Sequence, residues 1–320
     1  MARATPLSAS ATHSSVRIWA ALLVVYVVWG STYLGIELAV RTIPPFSMAA
    51  VRFLVAGGLL YAWAATRDGR WRRPPSLAEW GRALVTGTAL LTVGNGAVGW
   101  AEDRGVDIGT SALIVASMPL WLALFDRLLF GQRLGRAVVA GLLVGFAGVA
   151  VLVAPGGHDS DLAGELAMVA GAAVWALGSL YSRRPTSTSL LLGASMQMLA
   201  GGLVLGLIAV ASGETAELSA ADVSVTSLLG LAYLVAFGSL LAFTAYVWLL
   251  RAAPTSLVGT YAHVNPVVAV LLGSLVLDEA LTWRLVVGGG IVLAAVALIV
   301  SSPRRREPRA AAAPVPARGG

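Results

Sequence analysis

Residues 262–283 read AHVNPVVAVLLGSLVLDEALTW, and the chain carries a second version of them. Moved back by 147 positions, residues 251–300 fall on residues 104–153 without a gap. Arg251 lands on Arg104, Pro266 on Pro119, Leu271 on Leu124, Leu281 on Leu134, Gly288 on Gly141, Ala294 on Ala147 and Val300 on Val153. A short hinge separates the two apolar runs of each copy. It is Gly131-Gln132-Arg133 in the first and Asp278-Glu279-Ala280 in the second, so the hinge charge changes sign.

The similarity continues upstream. Gly30-Ser31-x-Tyr33 matches Gly178-Ser179-x-Tyr181, and Ala56-Gly57-Gly58-Leu59 matches Ala200-Gly201-Gly202-Leu203. Apolar sequence resembles apolar sequence by default, but prolines held in step and a reversed charge do not follow from composition.

Composition places the chain in a membrane. Only 12% of residues are charged and the mean hydropathy is +0.82, whereas a soluble domain carries about 25% charged residues. Apolar runs at 18–38, 46–65, 80–99, 108–129, 136–153, 163–181, 189–211, 225–249, 256–277 and 284–301 approach the about 20 residues that cross a bilayer as a helix. They are too long and too continuous for barrel strands. The first run is longer than a signal h-region, carries Trp19, Tyr26, Trp29 and Tyr33, and lacks a clear small-residue cleavage site. The expected fold is therefore an all-α integral membrane protein with ten transmembrane helices.

Cysteine is absent, which excludes disulfides, thiolate metal sites and a cysteine nucleophile. All 22 basic residues are arginine. A pI near 10.3 would suit a nucleic-acid partner, but the arginines cluster in alternate connections, as loops facing the cytoplasm do. Arg67, Arg70, Arg72 and Arg73, then Arg127, Arg133 and Arg136, then Arg183 and Arg184 share one side, with Arg304, Arg305, Arg306 and Arg309 after the last run. Glu102, Asp103, Asp107, Asp159, Asp161, Glu165, Glu214, Glu217, Asp222, Asp278 and Glu279 fall on the other. This pattern puts both termini in the cytoplasm and gives no support to nucleic-acid binding. Five runs per copy invert the second copy relative to the first, which accounts for the hinge reversal. The organisation expected is a disordered arm at 1–16, one repeat at 17–154, its inverted copy at 155–302, and a disordered basic tail at 303–320 lying against anionic lipid.

Few side chains in the runs carry chemistry. Proline within a helix frees a carbonyl one turn upstream, and Met118-Pro119 and Asn265-Pro266 stand at matched positions. A packing kink is the plain alternative; the symmetric placement favours two broken helices around a midplane cavity. The chain has two asparagines, Asn95 and Asn265, both within runs. Asn95 lies in Gly94-Asn95-Gly96-Ala97-Val98-Gly99, which has the form GxGxxG but follows no strand, so a dinucleotide site is rejected. Further cavity candidates are Ser31, Ser117, Trp29, Tyr33, Trp175, Tyr233 and Tyr261. Arg52, midway along the second run, is an ionisable group at membrane depth and needs a partner; Glu37 and Glu102, the latter placed beyond the end of the third run, are the expected ones. His263 is open to a satisfied structural role or a protonation switch. With Glu37, Arg52, Glu102 and Glu279 it completes the coupling and gating candidates. Without a paired acid or second histidine in reach no metal site is indicated. No cofactor is called for, and no serine has a base at supporting spacing, so an enzyme is not expected.

WGSTYLGIE in the first run, VRFLVAGGLL in the second, GNGAVGWAE ending the third, ASMPLWLALFD in the fourth and HVNPVVAVLLGSLVLDE in the ninth resemble the EamA type of the drug/metabolite transporter superfamily. The resemblance is closest to its YedA-like exporters and covers residues 17–301. It implies an inner-membrane exporter of small metabolites or amphipathic compounds. Helices 1–4 and 6–9 would surround a central cavity, with helices 5 and 10 outside it, at the periphery or between two protomers. His263 departs from the tyrosine common there, and the hinge matches the usual Gly-Glu ending only at Glu279. The reading is a secondary transporter with a small-molecule substrate and protons as coupling ion. An uptake permease of the same fold and a non-transporting membrane scaffold are its rivals.

Overall fold

The computed structural model describes residues 9–70, 74–131, 134–154, 161–183, 187–219, 221–253 and 255–301. Arg72, Arg73, Arg133, Asp159, Arg184 and the tail from 303 lie outside them, as does the first half of the N-terminal arm. The described residues are helical throughout, with no strand. We number the rods α1 (Ala9–Val40), α2 (Pro45–Arg67), α3 (77–103), α4 (Ile108–Phe130), α5 (Arg136–Leu152), α6 (Leu162–Ser182), α7 (Leu190–Ala211), α8 (225–252), α9 (Tyr261–Val276) and α10 (Trp283–Ser301). One-turn pieces at Glu214–Glu217 and Thr255–Val258 sit between rods.

Seven rods are long and apolar enough to cross a membrane: α1 from Ser15, α2, α4, α6, α7, α8 and α10. The rods α5 and α9 are apolar but shorter, at 17 and 16 residues. Large apolar side chains such as Leu143, Leu275 and Val286 stay exposed on the outer faces, which in a membrane protein is the lipid surface. Helix α1 begins at Ala9, where the sequence suggested an irregular arm through residue 16.

Two rods are not uniform α-helix. Thr88–Asn95 in α3 and Leu234–Leu241 in α8 are π-helical, and they stand 146 residues apart, at matched repeat positions. A π turn leaves carbonyls out of the regular ladder and is frequent at functional sites. Each of these rods opens on a serine N-cap, Ser76 and Ser224, whose hydroxyl accepts the amide N–H three residues on.

Packing partners obey an exchange rule. Where α1 packs on α8 and α9, α6 packs on α3 and α4; α2 packs on α7, α5 on α10, and α4 on α9. Swapping the halves returns the same set of pairs. Close approach depends on missing side chains: a Cβ on Gly148 would lie 3.0 Å from the Gly288 carbonyl oxygen, and one on Gly288 would lie 3.2 Å from that of Gly148. The glycine faces of α5 and α10 are thus spent on each other within the chain.

The proline breaks differ in the two halves. In α4 the ladder is interrupted at Ala116 and Ser117, directly before Met118 and Pro119. In α9 the helix runs through Pro266, and the interruption lies a turn upstream at Gly259 and Thr260. Pro266 is buried and Pro119 half-buried.

Candidate functional site

The two ends of the bundle differ in chemistry. One carries Arg70, Arg127 and Arg183, the other Arg104, Asp107, Asp161, Glu214 and Glu279. Acidic residues are also helix caps. The Glu214 carboxylate accepts from the amides of Phe46 (3.2 Å) and Ser47 (2.7 Å) at the start of α2. The Glu279 carboxylate accepts from those of Ile108 (2.8 Å) and Gly109 (3.3 Å) at the start of α4. A carboxylate at a helix N-terminus meets unsatisfied N–H groups and the positive end of the dipole. At the arginine-bearing end, Ser189 before α7 donates to Asp68, which follows α2.

An aromatic cluster closes the arginine-bearing half between α1, α8 and α9. Trp29 lies 5.0 Å from Tyr246 and 5.1 Å from Tyr261, ring centre to ring centre, and those two tyrosines lie 5.7 Å apart edge to face. The Trp29 indole N–H donates to the Gly238 carbonyl at 3.1 Å, a carbonyl within the π segment of α8. The hydroxyls of Tyr26 and Thr260 share a hydrogen bond. The Asn265 amide, with its nitrogen so oriented, donates to the carbonyls of Tyr26 (3.3 Å) and Tyr261 (3.1 Å), tying α9 to α1. Below this layer Leu22, Val25, Leu249 and Val258 form a fully buried apolar plug.

The other candidates spread outward from this cluster. Ser31 shares a 2.6 Å hydrogen bond with the Tyr233 hydroxyl, joining α1 to α8. Tyr33 packs against the main apolar core. Trp175 lies over Gly94 in the π segment of α3; a Cβ there would stand 2.6 Å from its ring. Asn95 ends that same segment. Ser117 is fully buried and spends its hydroxyl on the Ile114 carbonyl at 2.6 Å. His263 is half-buried, with its Nε2 unpaired.

The charged candidates depart from expectation. Arg52 is buried, but neither expected carboxylate is its hydrogen-bond partner: its Nε donates to Ser239 Oγ in the π segment of α8 at 3.0 Å, and its guanidinium lies 4.9 Å from the Phe53 ring centre. Glu37 pairs instead with Arg41, one turn on, at 3.6 Å. Glu102 is inside α3, not beyond it, and is 2% exposed with neither carboxylate oxygen hydrogen-bonded. Helix α3 continues to Asp103 because its end is packed under α1 and α2, burial that a loop could not satisfy.

Two groups at the water-facing ends have displaced acidities. Hydrogen bonds from Ser187 and from the Ser76 amide and hydroxyl, with Arg70 beside them, hold the Glu79 carboxyl down to about 2. The hydrogen bond from Arg104 holds Asp161 below the usual carboxylate range and clamps the α3–α4 turn to the start of α6. Two clefts open at the acid-bearing end. One of 480 Å³ is bordered by Phe46, Trp100, Asp103 and Glu214, and one of 370 Å³ by Glu37, Arg41, Asp107 and Glu279. Among the described residues no group of three His, Cys, Asp or Glu side chains converges as metal ligands would.

Sequence reasoning passed over Tyr26, Tyr246, Thr260, Gly238, Ser239 and Ser111. Tyr26 had a signal, since 26, 29 and 33 share one helical face. The π segments that bring Gly238 and Ser239 into play leave none.

A family model described as the EamA-like transporter family matches residues 17–154 and again residues 162–301. The uncharacterized inner membrane transporter YedA of Escherichia coli (strain K12) is 38% identical over 265 residues, 83% of this chain and 84% of its own. A probable amino-acid metabolite efflux pump of the same organism is 25% identical over 275 residues, 83% of this chain and 89% of its own. A crystal structure at 21% identity aligns over 90% of this chain and 97% of its own with a TM-score of 0.58, a likeness of fold.

Proposed function

The chain belongs to the EamA-like transporter family, and we propose that it is a secondary transporter exporting small metabolites or amphipathic compounds by alternating access, with protons as coupling ion. All ten rods cross the inner membrane as two inverted five-helix repeats, with both termini in the cytoplasm and the arginine-bearing end facing it. The observation that carries this reading is the exchange rule, with π segments at matched positions in α3 and α8. Two halves that pack by the same rule from opposite ends can trade closures by rocking. In the arrangement described, the cytoplasmic side is closed by the Trp29, Tyr246 and Tyr261 layer over its apolar plug. The aromatic, hydroxyl and amide groups of Trp29, Ser31, Tyr233, Tyr261 and Asn265, on either side of Pro266, form the solute's contact surface.

Export is the direction favoured by the efflux pump among the relatives. A tolerance screen of an overexpressing strain against metabolites names the solute class. Proteoliposome flux with an imposed pH gradient then tests the mechanism: solute leaves as protons enter. A verified solute that moves without any proton movement removes the coupling, and protection without flux removes the transporter.

A further inference from the structure

The two repeats are alike in fold and unlike in one set of buried side chains. In register, Glu102 of α3 corresponds to Leu249 of α8, Ser111 of α4 to Val258, and Arg52 of α2 to Met196 of α7. All six are buried, with Leu249 and Ser111 fully enclosed. At the cytoplasmic copy these positions hold apolar side chains, Leu249 and Val258 in the plug and Met196 in the core shared with α2, so the packing itself does not call for charge. At the outer copy they hold a carboxylate, a hydroxyl and a guanidinium. An ionisable group at such a place is costly and is the mark of a function.

The surroundings of Glu102 narrow that function. From α1 it faces Glu37 and Tyr33, from α2 Arg52, from α4 Ser111, and from the α9–α10 hinge Glu279; Asp107, just before α4, lines the smaller cleft with Glu37 and Glu279. On α6, Gly164 packs against Ala101 and is followed by Glu165, buried with an interaction of its own. Its chain neighbour Asp103 borders the larger cleft. Every charge here but one is committed or repulsive. Glu37 is held by Arg41, Glu279 by the amides of Ile108 and Gly109, and Arg52 by Ser239. Ser111 points its hydroxyl toward Glu102 but outside hydrogen-bond geometry. Glu102 therefore lies enclosed, with acids on two sides and no direct partner. The enclosure leaves no room for an organic cation, and no ligand set for a metal exists among the described residues.

We infer that Glu102 is a proton-binding site at the outer end of the pathway, taking a proton from external water as that end closes and returning it when the end opens. The proton enters and leaves on the outer side, so this site sets the closure of the outer end rather than carrying the coupled proton across, and it rests on the proposed alternating access. The step is a transfer from hydronium in the external water to one carboxylate oxygen, leaving water and a neutral carboxyl that the enclosure accepts; opening lets water solvate the carboxylate and take the proton back as hydronium. The absence of an acid at the cytoplasmic copy makes the exchange one-sided.

The test is infrared difference spectroscopy of the full chain in lipid nanodiscs near neutral pH, where a protonated carboxyl has its own C=O band. Wild type is expected to show that band, and Glu102→Gln and Glu102→Leu to lose it. The second variant copies the residue at the matched site and should melt no lower than wild type, which separates a lost proton from a lost fold. A band that persists in both variants, or wild type with no such band across the neutral range, overturns the assignment. Solute flux in parallel vesicles judges the transporter reading separately: no flux with the band intact counts against transport and leaves the proton site standing.

Discussion

The indole N–H of Trp29 donates to the carbonyl of Gly238 at 3.1 Å, and that single bond joins α1 of one repeat to the irregular turn of α8 in the other. The carbonyl lies in a π segment, where the regular ladder is shifted, and a tryptophan from the opposite half takes up its bonding capacity. Trp175 over Gly94 places an aromatic ring at the corresponding junction of α6 with α3. Trp29→Phe keeps the ring contacts to Tyr246 and Tyr261 and removes the donor. An unsatisfied buried carbonyl costs about 1–3 kcal/mol, so a clear fall in the detergent melting midpoint is expected, together with loss of flux. An unchanged midpoint would mean that the bond contributes nothing.

The α3–α7 side of the bundle depends on two backbones in direct approach. A Cβ on Gly201 would lie 2.7 Å from the Gly87 carbonyl oxygen, and one on Gly87 would meet the Gln197 carbonyl. Backbone has nowhere to yield, so Gly87→Ala and Gly201→Ala should cut the yield of folded protein severely. Gly58→Ala, with open space around it, should be neutral or slightly stabilising through helix propensity. Size-exclusion profiles of the three variants decide.

Glu79 sets a pH dependence at the arginine-bearing end. Its carboxyl is held down to about 2 by Ser187, Ser76 and Arg70, below its unfolded value. A depressed acid contributes stability that is complete above the unfolded value and is lost as pH falls through the folded one. The contribution of Glu79 should thus be constant from neutral pH down to about 4.5 and disappear between there and about 2. Glu79→Gln removes it at neutral pH, so the melting curves of wild type and variant should converge in that acid window. Curves that converge above it would contradict the assignment.

Glu279 latches the acid-bearing end. Two amide bonds to a charged carboxylate are worth about 1.5–3 kcal/mol each, and every 1.4 kcal/mol is about tenfold in an equilibrium. Glu279→Ala should therefore speed external thiol labelling of a cysteine placed at buried Val106 by roughly tenfold or more. The chain has no native cysteine to interfere. Gly273→Ala, whose new methyl would collide with the Glu279 carboxylate, should act in the same direction. Labelling unchanged in both variants would show that Glu279 does not hold the outer end shut.

Much of the architecture is legible in the sequence because the two repeats preserve what close packing requires. Pro119 and Pro266 stay in register, and Gly141 and Gly288 return at the same interval in α5 and α10. The hinge reversal from Arg133 to Glu279 is readable because loop charge follows membrane side. What stays hidden depends on tertiary partners. A π turn is a one-residue shift in hydrogen bonding with no compositional mark, so Gly238 and Ser239 look like any lipid-facing residues until Trp29 and Arg52 reach them. Proline also marks α4 and α9 without fixing where each ladder breaks; at α9 the break moves upstream to Gly259 and Thr260. Glu102 reads as a loop acid because it ends an apolar run, and only the packing of α1, α2 and α6 around it shows the burial.

The central claim, that the two repeats trade closures to move a solute, is tested most directly by locking one closure. Tyr26 and Thr260 meet at the arginine-bearing side, so a Tyr26→Cys/Thr260→Cys pair can be bridged by oxidation in proteoliposomes loaded with a solute found by the tolerance screen. The account predicts that bridging abolishes flux and that a reductant restores it, while either single variant transports under both conditions. Undiminished flux through the bridged protein would contradict it.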